Sequence, residues 1–122
     1  MRVAILADDL IWATRLVELV RGAGADAVPV RSATAFEAAL PDVDRAIVDL
    51  TARSYDGIAA IALAAAAGRL VLAVGQHDDR VSRQLALAAG AGRVYPYRRL
   101  FDDGPRQIGA WLAATRAVES TT

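Results

Sequence analysis

At 122 residues, with a formal net charge of zero and no cysteine, the chain has room for one domain and offers neither a disulfide framework nor a thiolate site. All fourteen basic residues are Arg and fourteen acids balance them, so no basic bias points to nucleic acid and no polybasic run to a membrane surface. A hydrophobic share of 55% and a mean hydropathy of +0.29 describe a globular domain with apolar surface to spare for self-association, much of it alanine.

The predicted elements follow one another without a linker or repeat. Arg2 to Ala7 (RVAILA) is a near-continuous apolar run, as in a strand buried on both faces of a parallel sheet. Ile11 to Arg21 carries Ile11, Leu16, Val17, Leu19 and Val20 at amphipathic-helix spacing and stops at Gly22 and Gly24. Ala27 to Val30 reads as a second strand. Ser32 is a predicted N-cap for a helix that ends before Pro41.

Arg45 to Leu50 (RAIVDL) is the third strand. Asp56-Gly57 opens an Ala-rich helix with Asp56 as its cap and Gly68 as its stop. Leu70 to Val74 is the fourth strand, and Asp78 or Asp79 caps a helix over Arg80 to Ala89 that Gly90 and Gly92 end. Arg93 to Tyr95 is a weak fifth strand before Pro96. Gln107 to Val118 forms the final helix, with Trp111 on its core side. One domain is expected over residues 1–119, with 120–122 a frayed tail.

Five such units imply an α/β fold with a parallel sheet between helix layers, and right-handed crossovers leave only a few doubly wound topologies. In these sheets the site lies outside the carboxyl ends of the strands. The candidates are therefore Asp8, Asp9, Asp49, the stretch from Gly75 to Asp79, and Tyr95 to Arg99. The apolar stretch 58–68 falls short of the roughly 20 residues of a membrane span, and the first residues run straight into a strand rather than a signal segment. A cytoplasmic location is the expectation.

Each candidate also has an ordinary role. Asp9 can cap the first helix, and His77 reads as a solvated loop residue. Trp12, near the site mouth, reads as packing rather than ligand stacking. Arg98, Arg99 and Arg106 read as a solvated face. Asp49 is harder to explain this way, because a carboxylate at a buried strand end is costly without partners. No Gly-x-Gly-x-x-Gly or P-loop sequence marks a nucleotide site.

Three features resemble the CheY-like receiver domains of response regulators over nearly the whole chain: the pair Asp8-Asp9 after the first strand, Asp49 after the third, and Asp56-Gly57 seven residues later. The resemblance implies a flavodoxin-like (βα)5 sandwich with strand order 2-1-3-4-5. It makes Asp49 the phosphoacceptor, and makes Asp8, Asp9 and Asp49, with the Thr51 backbone carbonyl, the ligands of Mg²⁺, an ion that takes hard oxygen donors. It implies a histidine kinase or a downstream protein as partner, and a homodimer or partner face over the fourth helix, fifth strand and last helix, with no nucleic acid and no enzymatic turnover of its own.

Departures from the family's pattern fall on the readout half of the site. Gly75 stands where receivers place a Ser or Thr, and Tyr95 stands before Pro96 where they place Lys. Arg98, Arg99 and Arg53 are the cations available to bind a phosphoryl group instead. The expectation is a stand-alone, atypical receiver acting through protein–protein contact. The alternatives are a pseudo-receiver interaction or dimerisation module that is independent of phosphorylation, and a small Mg²⁺-dependent phosphohydrolase, which lacks an obvious general acid.

Overall fold

Apolar runs of four to six residues, too short for core helices, become the strands, and the longer amphipathic stretches become the helices. The computed structural model describes residues 1–76 and 79–114. Its elements are β1 (Arg2–Leu6), α1 (Leu10–Gly22), β2 (Asp26–Val30), α2 (Ala33–Ala39) running into a 3-10 turn (Leu40–Asp42), β3 (Arg45–Asp49), α3 (Gly57–Ala66), β4 (Leu70–Gly75), α4 (Arg80–Ala89), β5 (Arg93–Pro96), α5 (Tyr97–Asp102) and α6 (Gly104–Ala113). The five strands form one parallel sheet in the order β2-β1-β3-β4-β5, as the sequence implied.

Strand alternation divides the core into two layers. Ala4, Leu6, Ala46, Val48, Val71 and Ala73 face α2, α3 and α4, whereas Val3, Ile5, Ile47, Leu72 and Val74 face α1, α5 and α6. Central β3 is buried along its whole length. β2 lies at the edge, where Pro29 is tolerated.

The caps follow the sequence. Ser32 accepts from the Ala35 amide at 3.1 Å, Asp56 from Ala59 at 3.1 Å and Asp79 from Val81 at 3.0 Å. After α3 the chain turns at Gly68, whose φ of +81° suits a residue without Cβ.

Two expectations need correction. Ile11 is 68% exposed rather than on the packed face of α1. At 3.6 residues per turn it lies about 140° around the helix from Leu16, whereas Leu16 and Val20 share the buried stripe. The last helix begins at Gly104, not Gln107, because Pro105 is preset for a first turn. A short helix not anticipated from the sequence, α5, precedes it and buries Tyr97 and Leu100 at i, i+3 spacing. Val118, the tail, His77 and Asp78 lie outside the described residues.

Candidate functional site

Parallel strands bring their carboxyl ends to one edge of the sheet, and the candidate acids meet there. Asp49 is the last residue of β3 and is 1% exposed, while Asp8 follows β1 next door. Asp8, Asp9, Trp12, Asp49, Arg53 and Gln76 line one cavity of about 270 Å³, with Thr51 and Ala52 on its wall.

Each carboxylate already has hydrogen-bond partners. Asp49 Oδ1 accepts from the Thr51 amide at 2.8 Å. Asp8 Oδ2 accepts from the Ser54 hydroxyl at 2.6 Å. Asp9 Oδ1 caps α1, accepting from the amides of Ile11 at 2.9 Å and Trp12 at 3.1 Å. The ordinary role foreseen for Asp9 is thus realised. Among the described residues no group of three or more acidic or imidazole side chains converges as metal ligands. Asp8, Asp9 and Asp49, the three carboxylates expected from the sequence, all line the one cavity. Carboxylate oxygens on a cavity wall are hard donors of the kind Mg²⁺ takes, one or two of them completed by water.

Burial raises the pKa of Asp49 above its ordinary 3.8, the Thr51 and Tyr97 groups beside it oppose that rise, and the negative charge of Asp8 adds to it. The Tyr97 hydroxyl lies beside this carboxyl, buried, with no partner in hydrogen-bond geometry among the described residues. Burial, then the charge of Asp49, drives the hydroxyl pKa far upward, so it remains a neutral donor. Its ring is held by stacking on Trp12 at 4.1 Å between centroids, with Phe101 5.5 Å away on the same pile. Trp12 is therefore a packing residue as expected, and it also walls the acid pocket.

A second tyrosine closes the site from the β3–α3 loop. The Tyr55 hydroxyl lies 2.7 Å from the Asp49 carbonyl and 3.1 Å from the Leu6 carbonyl, so its one proton serves two strand ends in turn. Tyr55→Phe is expected to lower stability by about 1–2 kcal/mol by stranding these carbonyls, as read by urea denaturation. An unchanged midpoint would show that water replaces the hydroxyl without loss.

Gly75 and Tyr95 lie on the two edge-side strands β4 and β5. Gly75 ends β4 opposite Pro96, and Tyr95 turns to α6, where its hydroxyl and Gln107 Oε1 are 2.9 Å apart. Arg98 and Arg99 do not line the acid cavity. They are exposed and border a separate hollow with Asp102, Asp103 and Arg106, because the turn into α5 carries them past the sheet edge. Among the described residues, Arg53 is the cation that lines the acid cavity. Spacing along the chain did not disclose Ser54 or Tyr55, whose contacts at the strand ends depend on the loop path, whereas Tyr97 falls in the candidate stretch Tyr95 to Arg99.

The search of solved structures returns receiver domains. The BeF3-activated DrrB receiver domain superposes with a TM-score of 0.78 at 14% identity, covering 93% of this chain and 97% of that one. A CheY-like receiver domain protein from Methanospirillum hungatei JF-1 gives 0.72 at 16% identity, covering 89% and 94%. The receiver domain of Francisella response regulator 1452 gives 0.75 at 14% identity, covering 89% and 93%. The fold is the receiver fold. No family model matches the chain, and no curated protein sequence does. At these identities the likeness is one of architecture. Within the receiver fold, Asp49 occupies the end of the central strand, and no helix among the described residues is long and apolar enough to cross a membrane.

Proposed function

We propose that this chain is an atypical response-regulator receiver that signals by protein–protein contact, with Asp49 as its phosphoacceptor. The observation that carries the reading is the placement of Asp49: a buried carboxylate at the carboxyl end of the central strand, beside Asp8 and open to a cavity. A carboxylate kept there against a desolvation cost serves chemistry rather than stability. An Asp49 oxygen attacks the phosphorus of a donor phosphoryl group, and the bond from phosphorus to the donor breaks as the acyl phosphate forms. The Thr51 amide holds the other oxygen. Asp8 and Asp49, with the Thr51 carbonyl, would hold Mg²⁺, which supplies the charge neutralisation that phosphoryl transfer requires. Arg53, at the cavity wall, is the cation in reach where a receiver's Lys is missing.

The partner is a histidine kinase or a downstream protein. The docking or homodimer face is α4, β5 and α6, where Val81 and Leu85 stand exposed one turn apart on α4. No turnover of free substrate is expected of a domain that signals by contact. Release of phosphate from simple phosphate esters would point to the hydrolase instead.

Amide NMR spectra with Mg²⁺, and then with Mg²⁺ and beryllofluoride, test the proposal, with Asp49→Asn as control. Mg²⁺ should shift amides around Asp8 and Asp49, and beryllofluoride should extend the shifts to α4 and β5 in the native protein only. If native and Asn spectra respond alike, the phosphoacceptor role is wrong. The chain is then a phosphorylation-independent interaction module, a reading favoured by the Ser54 bond on Asp8 and the helix-cap bonds on Asp9.

A further inference from the structure

Arg98, Arg99 and Arg106 line one hollow of about 570 Å³ between the β5–α5 turn and the start of α6. It is larger than the acid cavity, at about 270 Å³, and falls within the range of about 300–1,000 Å³ that small-ligand sites occupy. Three guanidiniums against the carboxylates of Asp102 and Asp103 leave it net positive.

The carboxylate of Asp103 is already taken. Its Oδ2 accepts from Arg106 Nε at 2.8 Å and from Gln107 Nε2 at 3.4 Å. Gln107 Oε1 in turn accepts from the Tyr95 hydroxyl at 2.9 Å. A chain of hydrogen bonds thus runs from Tyr95 through Gln107 and Asp103 to Arg106, and it fixes the ring beside which Arg99 lies, 5.7 Å from guanidinium to ring centre. Arg99 has a ring but no carboxylate. Among the described residues Arg98 makes no hydrogen bond or ion pair. The hollow therefore holds two adjacent guanidiniums whose donors are uncommitted, on a floor ordered by neighbours.

A guanidinium is a planar fork of N–H donors that matches two oxygens of a phosphate. Two such forks side by side suit two linked phosphates, and the volume leaves room for the rest of a small molecule. We propose that this hollow binds a small molecule carrying a diphosphate group, with Arg98 and Arg99 on the phosphates and Arg106 adding its charge from the α6 side. The site stands apart from the reading of Asp49, since neither Asp8 nor Asp49 lines it.

The test follows amide and arginine Nε–H NMR signals of the whole chain as inorganic pyrophosphate is added, at constant ionic strength and without divalent cations. Saturable shifts centred on Arg98, Arg99 and Gln107 are expected, and sulfate and succinate should give none that saturate. Arg98→Gln and Arg99→Gln should each weaken binding about tenfold, the loss of one charge-assisted hydrogen bond. Arg21→Gln, in the last turn of α1, should leave binding unchanged. All three side chains are exposed, so native-like spectra are expected of the variants. Shifts that never saturate, that sulfate reproduces, or that survive both substitutions at positions 98 and 99 mean a solvated basic face and overturn the site. Shifts confined to Asp8, Arg53 and their neighbours overturn it as well, by placing the anion in the acid cavity. Equal affinity for a glutamate-rich peptide would assign the hollow to an acidic protein surface instead.

Discussion

Trp111→Ala should be the most damaging single truncation in this domain, lowering the unfolding free energy by about 3–5 kcal/mol. The ring is fully buried against the sheet face shared by α1, α5 and α6. It also serves a buried charge. The Arg45 guanidinium, on a residue 8% exposed, lies 5.7 Å from the Trp111 ring centre and donates to the carbonyls of Trp111 and Ala114. Removing the ring leaves a cavity and takes from the guanidinium the π-face beside it. A domain of this size has about 5–15 kcal/mol in all, so the variant should be close to unfolding at room temperature. Urea denaturation followed by circular dichroism measures the loss, and Trp111→Phe should recover much of it by restoring an aromatic face. A loss below about 1 kcal/mol would mean that the neighbours collapse into the space, contrary to a packed core.

Asp49→Asn should act in the opposite direction, stabilising the protein by on the order of 1–2 kcal/mol at neutral pH in a metal-free, chelating buffer. Burial is the main cause of the raised pKa, so the native fold disfavours the charged form, and the Asp8 charge adds to this. The sign follows from proton counting. With a folded pKa above the unfolded one, the native state binds more protons between the two values, so native stability falls as pH rises from about 3.9 through the folded pKa. Above that pKa the whole cost of the charge is present, and below the unfolded pKa none of it is. The gain from Asn should therefore be full at neutral pH and vanish near pH 3. Paired denaturation curves at the two pH values decide it. A gain of equal size at both, or a loss at neutral pH, would show that the carboxylate is adequately paired in the apo protein. Such a residue, kept at a cost to stability, is what a functional acid would look like energetically.

The fold was legible because its signals are local and repeat. Five short apolar runs with helical stretches between them require a parallel sheet, and handedness leaves few ways to wind it. Ser32, Asp56, Asp79 and Gly68 could each be placed from the residues beside them, since a cap satisfies backbone groups within its own turn. The shared cavity of Asp8, Asp9 and Asp49 was legible for a related reason: strand ends in a parallel sheet converge whatever the loops do. Short α5 was missed because a six-residue helix held by Tyr97 and Leu100 has too few turns to show a period.

By itself, then, the sequence determined the layered sheet, its strand ends and the acids that gather there, together with the absence of a hydroxyl at Gly75 and of any lysine. Tertiary structure alone decided what each acid does. It turned Asp9 onto the α1 amides, gave Asp8 to Ser54, set Tyr97 beside Asp49 under Trp12, and kept Arg98 and Arg99 out of the cavity. The reason is one of range. Periodicity and caps are set by neighbours along the chain. A side-chain hydrogen bond is won or lost within a fraction of an ångström, and the loop paths that set that distance are fixed only when the whole sheet has formed.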